Sequence, residues 1–224
     1  MVLGLVFLTA ALGFYARNRA EDERAGAASA RALSLVEEVI TDTAIRPAPE
    51  AEREMPEIKI DGQWYIGKLA IPRLELELPV LSEWNDERLK IAPCRFRGTA
   101  AGEDLVLVAH NYRRHFGPIR RLEPGDRVLF TDMKGQVFAY QVTDAAVVDP
   151  TALEQVTAGV HDLILITCTY GGQSRLMVCC DRIQCTGVSE KACGLCFVFL
   201  TEKCVGCITG RSFDLPVFAF MASP

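Results

Sequence analysis

Residues 163–180 read LILITCTYGGQSRLMVCC. Two short apolar runs, Leu163 to Thr167 and Leu176 to Cys180, flank six turn-forming residues, Thr169 to Ser174. The pattern predicts an antiparallel hairpin. Paired strands lie about 5 Å apart, so Cys168 at the end of the first run and Arg175 at the start of the second share one rim. Arginine beside cysteine favours the thiolate and offers a forked donor to a developing oxyanion.

Upstream, from Ile58 onward, short apolar runs are separated by Gly, Pro, Asp and Asn. Tyr65 to Ile71, Leu74 to Val80, Leu105 to Ala109, Val128 to Thr131 and Val137 to Val142 all read as strands. Pro124-Gly125-Asp126 and Asp132 to Gly135 read as the turns around the fourth of these. Seven or so short strands with few helical stretches indicate an all-β domain, a closed or nearly closed barrel or a sandwich, over residues 58–183.

A thiol nucleophile needs a proton-transfer partner, and the chain offers three histidines. His110 follows the buried run Leu105 to Ala109 directly, at a strand exit on the same rim, and is the favoured partner. His115, in an Arg-rich loop, and His161, ahead of the cysteine strand and at its opposite end, are the alternatives.

The chain has 224 residues, 50% hydrophobic and 24% charged, with a net charge of −5. That fits one folded domain with appendages and is unlike a disordered chain. Mild acidity argues against a nucleic-acid binder, which needs clustered Lys and Arg. Arg113, Arg114, Arg120 and Arg121 form the densest basic patch, and Glu123 and Asp126 follow them, so it reads as a solvated face.

Residues 1–17 open with an uncharged run through Tyr15, followed by Arg17 and Arg19. The run is short of the ~20 residues that span a bilayer, yet a membrane signal anchor is the preferred reading over a cleaved signal peptide or a core helix. Residues 18–57 read as a helical stalk, with Leu33, Val36, Val39 and Ile40 in helical spacing, and then a stiff linker, RPAPEAEREMP, from Arg46 to Pro56.

Residues 184–224 form a tail holding Cys193-x-x-Cys196 and Cys204-x-x-Cys207. Seven residues between the pairs is tight for a zinc ribbon, where about 12–20 are usual. Charges at Glu202, Lys203 and Arg211 break a second membrane segment. An unstructured or frameshifted tail is the preferred reading; a disulfide cluster and a metal site stay open beside it.

The combination resembles the sortases, membrane-anchored cysteine transpeptidases of Gram-positive bacteria. The likeness runs from about Tyr65 to Ile183 and rests on three segments. Ile66-Gly67-Lys68-Leu69-Ala70-Ile71-Pro72 with Leu78-Pro79-Val80 is similar to the family's first strands. Val108-Ala109-His110-Asn111 is similar to its histidine segment, and Leu165-Ile166-Thr167-Cys168 with Arg175 to its Thr-Leu-x-Thr-Cys signature and arginine. Ile164 stands where that signature has its first Thr, and Ala109 where the family commonly has Gly. Val148 to His161 is too short for the class B insertion, yet the loop and the His110-Asn111-Tyr112 segment look more similar to class B or D members than to class A, which leaves the class open.

The resemblance implies a closed β-barrel of seven to eight strands, anchored by a single membrane pass with its catalytic domain outside the cell. It further implies Cys168 as nucleophile, His110 as proton carrier and Arg175 as oxyanion or substrate-backbone donor, with no cofactor or metal. The implied partners are secreted surface proteins or pilins bearing a C-terminal Pro-containing sorting motif. The implied acceptor is an amine of a cell-wall peptide or a pilin lysine. Two other readings stand beside it: a membrane-tethered metal or redox module using the CxxC pairs, and a cysteine peptidase without transfer activity.

Overall fold

The computed structural model describes residues 2–44, 55–150, 160–169 and 171–183. Among the described residues, nine strands follow one helix, α1 (Val2–Ala44). They are β1 (Ile58–Ile60), β2 (Gln63–Ile71), β3 (Leu76–Leu81), β4 (Cys94–Arg97), β5 (Leu105–Val108), β6 (Arg127–Asp132), β7 (Val137–Val148), β8 (Leu163–Cys168) and β9 (Arg175–Arg182). Their order in the sheet is β1-β2-β3-β4-β5-β8-β9-β7-β6, and β2 also pairs with β6. That last pairing joins the two ends of the sheet, so eight strands close into a barrel and β1 stands outside as a short edge. Closure removes the unpaired edges that an open sheet would expose.

Alternation along each strand sorts the apolar residues into two layers. Leu105, Leu107, Leu163, Leu165, Val178 and Cys180 point into the barrel with Phe116, Phe130 and Tyr140. Val106, Ile164, Ile166, Met177 and Cys179 pack together on the outer face, next to Val108, Ala146 and Val148. The two-sided burial explains why Leu163 to Thr167 is a continuous apolar run and not an alternating one.

Closure turns on Gly67. This residue lies at a bulge in β2 and pairs with Val80 of β3 on one side and Asp132 of β6 on the other. Its φ is +150°, and a Cβ there would overlap the Thr131 carbonyl oxygen, so only glycine lets β6 approach this closely.

Several sequence expectations shift. Leu74 is not in a strand: Pro72–Leu74 is a 3-10 turn, closed by the Glu75 N–H donating to the Pro72 carbonyl at 3.0 Å. Pro72 favours this start because its φ is fixed and it has no N–H to give a ladder. The strands β1 and β4 were not visible in the pattern, since IKI and CRFR are short and charged. The strand expected to end at Val142 continues to Val148, past a register shift between Val142 and Asp144.

The N-terminal segment also differs from an anchor followed by a separate stalk. It is one continuous helix of 43 residues, and no helix among the described residues is long and apolar enough to cross a membrane. Charges beginning at Arg17 cut the apolar run short. Val2 to Tyr15 is exposed, whereas Ala25, Ser29, Ala32, Val36 and Ile40 form one buried stripe at helical spacing. The last three of these pack on Tyr65, Leu81, Ala92, Cys94 and Met133, outside the barrel. Glu37 also pairs with Lys68 of β2 at 2.6 Å. The second half of α1 is therefore docked on the barrel. Residues 45–54, which hold all but the last two residues of the expected linker, and the tail from residue 184 onward, with both CxxC pairs, lie outside the described residues.

Candidate active site

Cys168 is the last residue of β8 and stands directly opposite Arg175, the first of β9. The turn between them is set by backbone bonds: Thr169 N–H donates to the Ser174 carbonyl at 3.0 Å, and Gly172 N–H to the Thr169 carbonyl at 2.9 Å. Gly171 and Gly172 take φ values of +91° and +73°, which explains the Gly-Gly pair in the turn. The Arg175 Nη1 donates to the carbonyls of Gly172 at 3.0 Å and Ser174 at 3.3 Å. The guanidinium is thereby held beside the turn, close to its own strand end.

His110 reaches the same rim through the neighbouring strand. The strands β5 and β8 run parallel with Val108 level with Ile166, so two residues on, His110 keeps step with Cys168. Adjacent strands lie about 4.8 Å apart in this direction. Two bonds prolong the pairing beyond the strands. Ala109 N–H donates to the Ile166 carbonyl at 3.1 Å, and the buried Thr167 hydroxyl donates to the Ala109 carbonyl at 2.9 Å. The residue before the thiol is thus tied to the residue before the imidazole. Strand order β5-β8-β9 puts His110, Cys168 and Arg175 side by side with the cysteine in the middle.

His110 is half-buried, and its removal from water holds its pKa below the ordinary histidine value; Lys90 pushes the same way and Asp86 opposes. Burial of this kind keeps the imidazole neutral near pH 7, the form that accepts a proton. Its ring packs on Tyr112 with centroids 4.9 Å apart. The loop beyond is tightly folded: Phe116 N–H donates to the His110 carbonyl at 3.2 Å, and both His115 and Gly117 N–H donate to the Tyr112 carbonyl.

The alternative histidines go elsewhere. His161 lies ahead of β8, at the far end from Cys168, and its Nδ1 is 2.8 Å from Asp181 Oδ1. His115 is fully buried, next to α1. Burial likewise sorts the thiols. Among the four described cysteines, Cys94, Cys179 and Cys180 are buried and Cys168 alone is partly exposed. Burial pushes the Cys94 thiol up to about 12 and Cys179 up to about 11, and Cys180 upward as well. Neutral, buried thiols are poor nucleophiles. No group of three or more His, Cys, Asp or Glu side chains among the described residues is placed to hold a metal ion.

Sequence reasoning missed Thr167 as a tie between the two strands. Its position before the cysteine was visible, but its partner is a backbone carbonyl 58 residues away. It also missed Tyr112, whose contact with His110 depends on how the loop folds.

The sortase-domain family model matches residues 69–183, just over half of the chain. Sortase A from Bacillus anthracis is 29% identical over 121 residues, covering 51% of this chain and 57% of the relative. The chain thus spans little more than half the length of that curated relative. Among solved structures, sortase C1 of Group B Streptococcus pilus island 1 is 26% identical with a TM-score of 0.50, over 77% of this chain and 87% of that one. A Clostridium perfringens sortase D5 transpeptidase is 19% identical with a TM-score of 0.52, over 67% of this chain and 99% of that one. At that identity the likeness shows the fold alone.

Proposed function

Because the chain belongs to the sortase family, whose members are cysteine transpeptidases, we propose that it exchanges an amide at a C-terminal sorting motif through a thioacyl intermediate on Cys168. The observation that carries the reading is the side-by-side register of three strands: Cys168 opposite Arg175, and His110 in step with Cys168.

The neutral His110 takes the proton of the Cys168 thiol, and the thiolate sulfur attacks the carbonyl carbon of a Thr in the motif. The carbonyl oxygen becomes an oxyanion, which the Arg175 guanidinium stabilises through N–H groups other than the Nη1 spent on the turn. The C–N bond then breaks, the departing amine takes the proton from His110, and a thioester remains. An incoming amine attacks that thioester and loses a proton to His110, and the new amide leaves as the thiolate is expelled. Splitting one difficult exchange into two acyl transfers is the gain of a covalent nucleophile. No step calls for a metal or cofactor.

The donors fitting this chemistry are surface proteins or pilins, and the acceptor is a cell-wall peptide amine or a pilin lysine. The exposed apolar start of α1, Val2 to Tyr15, supports attachment to a Gram-positive membrane with the barrel outside.

A peptide-library cleavage assay, run with and without an amine acceptor and read by product mass, tests the proposal. Thiol-dependent cleavage with acceptor-dependent amide formation is expected, and Cys168→Ala and Arg175→Ala each abolish both while leaving the thermal melt unchanged. Retained activity in Cys168→Ala would end this reading; hydrolysis alone, unaffected by acceptor, would reassign the protein as a peptidase.

A further inference from the structure

The docked half of α1 does more than cover the barrel, because it touches the loop that carries His110. Asp22 Oδ1 accepts the Arg113 backbone N–H at 2.6 Å. One helical turn on, Gly26 is buried beneath the Arg114 side chain, whose Cδ a Cβ at position 26 would overlap. His115 is fully buried beside the helix, and burial lowers its pKa to about 4. Its ring nitrogens lie near the carbonyls of Ala25 and Ile91 but outside hydrogen-bond geometry, and the buried Ser29 hydroxyl on α1 also has no partner among the described residues. Unpartnered buried polar groups are costly and rare, so this contact adds little stability of its own. Tyr112 links it to the site: its ring lies 5.5 Å from that of His115 and 4.9 Å from that of His110.

We propose that the stretch of α1 from Asp22 to Ser29 is a positioning element for His110, holding the loop from His110 to Phe116 in the conformation that keeps the imidazole beside Cys168. The inference rests on the assignment of His110 as proton carrier. Asp22 anchors the loop backbone, Gly26 admits Arg114, and His115 passes the constraint through Tyr112 to the His110 ring. The charged and titratable groups around the contact are Glu21 and Asp22 on α1, Asp86 and Lys90 from the segment before β4, and His110, Tyr112 and Arg114 of the loop itself. With the helix undocked, the loop is held at its strand end alone, and His110 gains water. Misplacing a catalytic group by about 1 Å from a distant site costs up to about 100-fold in rate.

The test compares Asp22→Ala with Asp22→Asn in the full chain, the asparagine keeping a side-chain oxygen for the Arg113 N–H. The expected result is a kcat lower by about 10- to 100-fold in Asp22→Ala with KM changed little, and recovery in Asp22→Asn. The His110 ring signal, one of only three histidine signals, is followed by NMR across pH, and its midpoint moves up toward the ordinary value of about 6.5 in Asp22→Ala alone. Asp22 is only partly buried, so both variants keep the core, and a thermal melt verifies it. Gly26→Leu pushes the loop off the helix without touching Asp22 and should behave like Asp22→Ala. An unchanged kcat and an unchanged His110 titration in Asp22→Ala would overturn the proposal. A wild-type chain without thiol-dependent cleavage would sink the transpeptidase reading, and the ring titration would still decide whether α1 controls the His110 environment.

Discussion

Lowering the pH should loosen this protein through one side chain, His115. The imidazole has no exposed surface, and burial lowers its pKa to about 4. The unfolded chain, with an ordinary pKa of about 6.5, binds more protons than the folded one between these values, so stability is complete above pH 6.5 and is lost as pH falls toward 4. At pH 5 the linkage integral gives a loss of about 2 kcal/mol relative to neutral pH. His110, also lowered, adds loss of the same sign, whereas Asp132, whose pKa burial raises, adds stability on acidification. A single pH curve therefore mixes opposing contributions, and the difference from His115→Phe isolates the one in question. Phenylalanine keeps the ring packing on Tyr112 and removes two unpartnered nitrogens, which is near neutral or stabilising. Urea unfolding at pH 7.5 and pH 5 should show the variant no less stable at the higher pH and ahead by about 2 kcal/mol more at the lower. Parallel losses in both proteins would refute the reasoning, because the acid sensitivity would then lie elsewhere.

Two other substitutions probe how the barrel holds the site. Thr167→Val removes the bond to the Ala109 carbonyl, and should cost about 1–2 kcal/mol in chemical unfolding and lower kcat more than it raises KM, since it unties His110 from Cys168. Gly67→Ala places a Cβ against the Thr131 carbonyl in a strained backbone; a loss upward of about 2 kcal/mol, with weakened amide protection of β6 in hydrogen exchange, is the expected outcome.

The hairpin from Leu163 to Cys180 was legible in the sequence because its signals are local: two apolar runs, a Gly-Gly turn and a cysteine and an arginine at matching ends. His110 was legible as a strand-exit residue, but its step with Cys168 comes from a parallel pairing between β5 and β8, and parallel partners are distant in sequence and leave no turn to read. The short strands β1 and β4 escaped because their neighbours, and not their own composition, make them strands. Docking of α1 was equally hidden. Ala25, Gly26 and Ser29 have little hydrophobic weight, and their role as a close-approach surface emerges only when Arg114 and His115 lie against them.

The parallel alliance of β5 with β8 also bears on the order of events after synthesis. Ala109 and Thr167 are 58 residues apart, and between them the chain must lay down β6 and β7 before β8 can slot beside β5. Contacts of such long range form late and slowly. A half-made barrel would hold Cys168 and Arg175 on their hairpin without His110 beside them, so under the proposed assignment activity is itself a gauge of finished folding. In a refolding experiment, cleavage activity should lag the fluorescence of Trp64 in β2, which pairs with Lys59 of β1 and reports on the earlier, local β1–β2 hairpin.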